Sequence, residues 1–368
     1  MPISAVDAIS PAFHHTKQQL FQPFRAGQWL RLAFVGLLAG EMSSGGGCNS
    51  FQIPRVHDGG QRFAAAPLAN SNPLLYAGLI GVLVVLGVVF WFLIIYANSV
   101  MRFVLFDGVL EKQCRIRQSW NHRQRPGLRF FGWQLLLFAV MIGGLTILVG
   151  IPGAIAFALG WLKNPHQHIV PLVLGGIVLF FIFFAFIIAM LIVAVLTKDF
   201  VVPQMALEDI GAFEAWRRLW SGITREKSSY AAYLGMKILM ALGAAMVLGI
   251  VSFIVILLLA IPLGGLGVIA VLTGKTAGLT WNVYTITLAV MGGGLLVGII
   301  LYGLALISVP VIVFFPAYSI HFFASRYRPL DAVLHPAPPV VQLPEPPSMP
   351  EPPPEPPPLP PEFNPSPS

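Results

Sequence analysis

One carboxylate stands inside an apolar run. The stretch LAGEMSSGGGC places Glu41 just after Leu38 and before Ser43, Ser44 and a glycine run that ends at Cys48. An ionisable residue at membrane depth is a functional candidate by default, because its charge is costly there without a partner or a wet cavity. Glu41, Ser43 and Ser44 are therefore the candidate intramembrane polar site. Two arrangements suit them. Either Glu41 faces the interior of a helix bundle and handles an ion or proton, or the serines and glycines open the helix early and water, Arg55 or Arg62 reaches the carboxylate. Glycines weaken a helix interior by roughly 0.5–1 kcal/mol each, which favours the second arrangement: Glu41 in a wet outer vestibule.

Other chemistry is sparse. His14 and His15 fall on a polar helix face. His166 and His168 sit in the short loop NPHQHIV, and only His57 and Asp58 elsewhere offer to complete a ligand set. A metal needs three or four ligands, so solvated loop histidines are expected. The sequence has no Gly-rich phosphate loop, no Gly-x-Ser-x-Gly elbow and no HExxH. Gly292, Gly293 and Gly294 lie inside an apolar run, where small residues let helices approach. Neither paired intramembrane charges nor a cofactor motif is evident. No enzyme activity, cofactor or metal is expected.

The elements that must position Glu41 are membrane helices. The composition is 56% hydrophobic and 10% charged, against about 25% charged for soluble domains. A spanning helix needs about 20 mostly apolar residues. Six stretches qualify: 29–47, 74–97, 133–159, 169–196, 236–261 and 286–314. The expected fold is all-α, a polytopic integral membrane protein with six transmembrane helices over residues 1–330, followed by a proline-rich cytoplasmic tail, 331–368.

Of the 22 Lys and Arg residues, 18 fall in or beside alternate connecting segments; only Arg55, Arg62, Lys163 and Lys275 lie on the other side. Cytoplasmic loops carry the excess of Lys and Arg, so both termini are expected in the cytoplasm, with Cys48 outside and Cys114 inside. Nucleic acid would suit the positive charge, but anionic lipid headgroups are nearer and are the expected partner. Arg217, Arg218, Arg225 and Lys227 are the candidate headgroup contacts.

The cytoplasmic segments resemble one another. FVLFDGVLEKQCRIRQSW (103–120) aligns with FVVPQMALEDIGAFEAWRRLWSGI (200–223), pairing Phe103 with Phe200 and Glu111 with Glu208. FFPAYSIHFF (314–323) begins a third such segment. The reading is three repeats, each an amphipathic segment followed by two spans. Aligning Trp29 with Trp133 sets Gly45–Gly47 opposite the Gly150-Ile151-Pro152 turn. Glu41 then lies roughly 18 Å along its helix, just past the midplane. No processing site is expected at Cys48, because a long polar and amphipathic stretch precedes the apolar run. Two amphipathic segments show helical spacing: Ile9, Phe13, Thr16, Leu20 and Phe24, and Ile210, Phe213, Trp216, Trp220 and Ile223. Segments 8–24 and 206–224 are expected near the membrane plane, or packed on the protein's own bundle.

The stretch FVVPQMALEDIGAFEAWRRLW resembles the cytoplasmic motif of a broad group of poorly characterised bacterial polytopic proteins, which includes the membrane-anchoring region of some glycerophosphodiester phosphodiesterases. Pro203, Glu208, Ala215, Trp216, Arg217 and Arg218 match its pattern; the Ser that precedes Trp in the group is absent at Ala215 but present as Ser119 before Trp120. The resemblance implies a membrane module in a bacterial inner membrane. It does not imply the phosphodiesterase, which needs a separate soluble barrel of about 250 residues.

The tail from His335 to Ser368 is about half proline and suits extended polyproline II. It is expected to act as a spacer, with a proline-recognising protein as its possible partner. The leading function is a non-enzymatic scaffold or lipid-associated membrane module. The alternative is a small-molecule or ion transporter or channel with its site near Glu41.

Overall fold

Each long helix changes character along its length. In the computed structural model, which describes residues 3–41, 73–161, 166, 168–276 and 283–336, the order is α1 (Ile9–Phe21), α2 (Ala26–Leu38), α3 (Pro73–Leu110), α4 (Ile116–Ala158), α5 (Ile169–Leu196), a π-helical turn (Thr197–Val201), α6 (Val202–Glu208), α7 (Ala212–Arg225), α8 (Lys227–Thr276), α9 (Val283–Ala324) and α10 (Arg328–Leu334). Among the described residues, five helical stretches are long and apolar enough to cross a membrane: Gly81–Leu110, Ile116–Ala158, Ile169–Glu208, Lys227–Leu259 and Val290–Ala324. The chain thus has the build of a multi-pass membrane protein.

One part of each long helix presents apolar side chains outward: Val82 and Phe90 on α3, Ile147 and Phe157 on α4, Val170 and Phe181 on α5, Leu242 and Phe253 on α8, Val290 and Leu295 on α9. Such a surface is stable only in lipid. The other part packs into a shared core holding Val100–Val109 of α3, Leu196–Ala206 around the π turn, Tyr230 and Tyr233 of α8, and much of Leu304–Ala324 of α9. The short helices α1, α2, α6, α7 and α10 complete this core, and α1 and α2 lie mainly against α9.

The first expected span differs. Helix α2 has 13 residues, about 20 Å at 1.5 Å per residue, against about 30 Å of hydrocarbon. It stops because Gly40 adopts φ +72°, a conformation that costs glycine nothing. Residues 42–72, which include Ser43, Ser44 and Cys48, lie outside the described residues. Of the other five expected spans, 169–196 coincides with α5, 133–159 ends one residue past α4, and the rest fall inside longer helices; α3 continues through the FVLFDGVL segment to Leu110, and α4 begins at Ile116, well before the expected start. Folded chain also passes the expected 330/331 boundary, since α10 runs to Leu334 with Leu330 buried.

Both amphipathic stripes are split between core and surface. On α1 the buried residues are Ala12, His15, Thr16, Gln19 and Leu20, while Phe13 and Phe24 are exposed. Small residues let α1 approach α9. His15 Nε2 donates to the Val109 carbonyl at 2.8 Å and Gln19 Nε2 to the Gly108 carbonyl at 2.7 Å, serving carbonyls in the last turn of α3, of which Val109's also accepts from the Lys112 backbone N–H at 3.4 Å. The expected polar face holding both histidines therefore splits: His14 is exposed and His15 is buried. On α7, Ala212, Ala215 and Leu219 face inward, and Phe213 and Trp220 outward.

Candidate functional site: a buried charge cluster

Glu41 is 2% exposed. Its carboxylate pairs with the ammonium of Lys198, which overturns the wet outer vestibule. Next to Lys198, Asp199 pairs with Lys237 and accepts a hydrogen bond from Tyr233 Oη at 2.9 Å. The guanidinium of Arg102 stands 5.6 Å from the centre of the Phe130 ring. Lys237 lies 5.9 Å from the ring centres of both Tyr233 and Phe315. The expectation that paired charges would be missing is also corrected: Glu41–Lys198 and Asp199–Lys237 are two adjoining buried pairs.

Local structure explains how the sequence assembles them. The π turn carries Lys198 and Asp199 as consecutive residues, yet each reaches a different partner. Such turns insert a residue into a helix and re-aim its side chains. Thr197 anchors the turn by donating to the Val193 carbonyl at 2.7 Å and accepting from Trp216 Nε1 at 3.0 Å. Glu41 is held from the other side. Asn98 Nδ2 donates to the Leu38 carbonyl at 3.0 Å and Arg102 Nη2 to the Ala39 carbonyl at 3.2 Å, capping α2. Gln134 joins the amide chain, donating to Asn98 Oδ1 at 3.2 Å and accepting from Ser99 Oγ at 2.5 Å.

Around these charges lies a cavity of about 30 Å³, lined in part by Glu41, Arg102, Lys198, Asp199, Pro316 and Ser319. That is room for one or two waters, at 10–15 Å³ or more each. Arg102 Nε is buried without a hydrogen-bond partner among the described residues, and a water in this cavity would serve it. The cluster can hold helices in register and can hold water; it has no room for an organic substrate.

A third ion pair joins α3 and α4. Arg123 meets Asp107 through two hydrogen bonds of 2.8 Å and donates to the Ala206 carbonyl at 2.5 Å, tying α4 to α3 and α6. Arg129 donates to the Asp209 carbonyl at 2.6 Å, where Asp209 ends α6 with φ +52°.

The expected headgroup contacts lie at the exposed side of α7. Arg217 pairs with Glu214 at 2.8 Å. Arg218 pairs with Glu208 and with Glu214. Arg225 and Lys227 are exposed. Arg218 and Arg225 also line a cleft between α7, α8 and the end of α9. Among the described residues no group of three or more His, Cys, Asp or Glu is placed to hold a metal. His168 stacks on Trp161, with ring centres 6.0 Å apart.

Sequence reasoning missed Lys198, Asp199, Arg102 and Lys237 as site residues. They flank apolar runs and read there as markers of orientation. The one available signal was the doublet Lys198-Asp199, set directly between apolar LIVAVLT and FVVP.

A family of unknown function, DUF7544, matches residues 3–333. The chain belongs to this family. The match covers α1 through most of α10, so the buried cluster and both ends of the packed core lie within the family's extent. No curated protein and no solved structure matches the chain.

Proposed function

We propose that the protein is a non-enzymatic multi-pass membrane module, a scaffold or lipid-associated element whose helices are locked together by the buried charge cluster. The observation that carries this reading is the closure of that cluster. Glu41 and Asp199 each meet a lysine, and the remaining space of about 30 Å³ accommodates water only. Six spans with both termini in the cytoplasm of a bacterial inner membrane remain the topology favoured by the Lys and Arg distribution. Repeated units are supported by one backbone detail. Lys112 follows Phe103 at the distance at which Asp209 follows Phe200, and both adopt positive φ, 56° and 52°.

Lipid association is supported by α7. Phe213 is 71% and Trp220 62% exposed, on the helix that also exposes Arg217. Exposed aromatic and basic residues on one helix suit the headgroup layer. Native mass spectrometry of the purified full chain, released from micelles with mixed lipid, tests this. Phosphatidylglycerol is retained over phosphatidylcholine, and the preference falls in Arg217→Glu. Equal retention of the two lipids by the wild-type protein refutes lipid recognition.

Transport near Glu41 is the second reading. It rests on the burial of that carboxylate among cations, an arrangement that proton pathways also use. Its signature is pH-dependent flux that Glu41→Gln removes.

A further inference from the structure

The cleft beside α7 has a chemistry of its own. Its volume is about 370 Å³, and its walls include Arg218, Arg225, Arg326, Tyr230, Phe323 and Tyr327. Two of the arginines already hold carboxylates. Arg326 meets Glu226 at 2.9 Å, and Arg218 meets Glu208, which also accepts from Tyr327. Those pairs neutralise the cleft's own acids. Among the described residues none is in ion-pair contact with Arg225. The result is a cleft with a surplus guanidinium in which Tyr327, stacked on buried Phe323, is the partly exposed aromatic residue.

Its position argues against lipid headgroups. Lys227 to Lys237 is about 15 Å along α8 at 1.5 Å per residue, and exposed large apolar side chains on α8 begin only at Ile238. The headgroup layer adds only about 5–8 Å beyond the hydrocarbon. The cleft therefore faces an occupant outside the bilayer.

One segment of the chain fits it. Residues 337–368 carry Glu345, Glu351, Glu355 and Glu362, no Lys, Arg or Asp, and about half their number is proline. Proline-rich segments bind on aromatic-lined grooves, and carboxylates pair with guanidinium groups. The segment also starts close by. Tyr327 is in the cleft wall, α10 follows with seven residues, about 10 Å of helix, and chain beyond it begins at His335. Residues 337–345 extend about 28 Å at 3.1 Å per residue, enough to return to the cleft. Tethering at this range gives millimolar effective concentration, so weak contacts suffice.

We propose that the cleft formed by α7, α8 and the end of α9 is the docking site of this protein's own acidic, proline-rich segment 337–368, with Arg225 as its principal charge contact. The segment then serves as a competitor for any other acidic ligand of the cleft. Lipid association plays no part in the inference.

Double electron–electron resonance on the full chain in nanodiscs tests it. Spin labels are placed at Ser221→Cys on α7 and Ser348→Cys in the segment, in a Cys48→Ser background; Cys114 is buried and stays unlabelled. A short-distance population is expected in phosphatidylcholine discs and in discs containing phosphatidylglycerol. Its ratio to the long-distance population falls about fivefold or more in Arg225→Glu, the effect of losing roughly 1 kcal/mol of exposed ion pairing. It falls likewise in the triple variant Glu345→Gln/Glu351→Gln/Glu355→Gln, whose changes lie outside the folded core and decide the matter alone if Arg225→Glu misfolds. Absence of the short population, or a population unchanged in the triple variant, overturns the proposal. A population lost only in phosphatidylglycerol discs also overturns it and gives the cleft to headgroups.

Discussion

Removing one partner of the Glu41–Lys198 pair should unfold the core far more readily than removing both. Glu41 is 2% exposed, and the Lys198 side chain is also largely buried, so solvent screens little of their interaction. Loss of one member of a buried pair costs about 3–5 kcal/mol, because the other charge is left uncompensated. The two single variants are not equivalent. In Glu41→Gln the cations Arg102, Lys198 and Lys237 face Asp199 alone among the described residues of the cluster; in Lys198→Met two carboxylates still face two cations. Glu41→Gln should therefore sit at the upper end of that range and Lys198→Met at or below the lower. Glu41→Leu/Lys198→Met removes both charges and should fall within about 1–2 kcal/mol of wild type. A coupling energy of up to about 6–7 kcal/mol follows, since singles of about 5 and 3 kcal/mol would combine to a double of only about 1–2. The assay is denaturant titration in mild detergent, read by a thiol-reactive dye at Cys114, which is buried when folded, in a Cys48→Ser background. Single variants that each cost under about 1 kcal/mol and combine additively would refute the reasoning.

Packing between α3 and α4 gives a second prediction: a Cβ at Gly127 would stand 2.7 Å from Val100 Cγ2 and 3.3 Å from Val100 Cα, so Gly127→Val should cost about 1–3 kcal/mol in the same titration, whereas Gly132→Ala, with open space around it, should change little. Burial holds the His15 imidazole below its ordinary 6.5, with Lys112 acting the same way and the Val109 carbonyl partly opposing. The unfolded chain therefore binds a proton that the folded chain refuses as pH falls below about 6.5, and stability declines from there down to the folded pKa. His15→Gln should flatten part of that slope; His321, whose ring centre is 5.5 Å from that of His15, and Lys112 are the titratable neighbours to control. Burial pushes the Cys114 thiol up to about 11, so alkylation of Cys114 at neutral pH should be slow in the folded protein from either side of a membrane, and rapid only after unfolding.

The long apolar helices were legible because hydropathy is local: each run of apolar residues carries its own signal. The charge cluster was not, because Glu41 and Lys198 lie 157 residues apart and no local pattern joins them. Lys198, Arg102 and Lys237 occupy positions beside apolar runs where basic residues commonly mark orientation, and that reading hid their inward contacts. The short α2 was obscured by its apolar continuation; Gly40, with its positive φ, is what ends it. On α1 and α7 the aromatic spacing showed helices but left open which stripe residues face the bundle: Thr16 and Leu20 are buried, whereas Phe13, Phe24, Phe213 and Trp220 are exposed. Hydrophobicity ranks Phe13 and Phe24 above Ala12, His15 and Gln19, yet close approach to α9 needs a small residue, and the carbonyls ending α3 need donors.

The central claim is that the buried cluster is a fixed joint and not a pathway. Proteoliposomes containing wild-type protein or Glu41→Gln, loaded with a pH-sensitive dye and given an acid jump with potassium and valinomycin to clamp the potential, test it most directly. The joint predicts acidification at the rate of protein-free liposomes for both proteins. Proton entry that is faster with wild-type protein and returns to the protein-free rate with folded Glu41→Gln would contradict it.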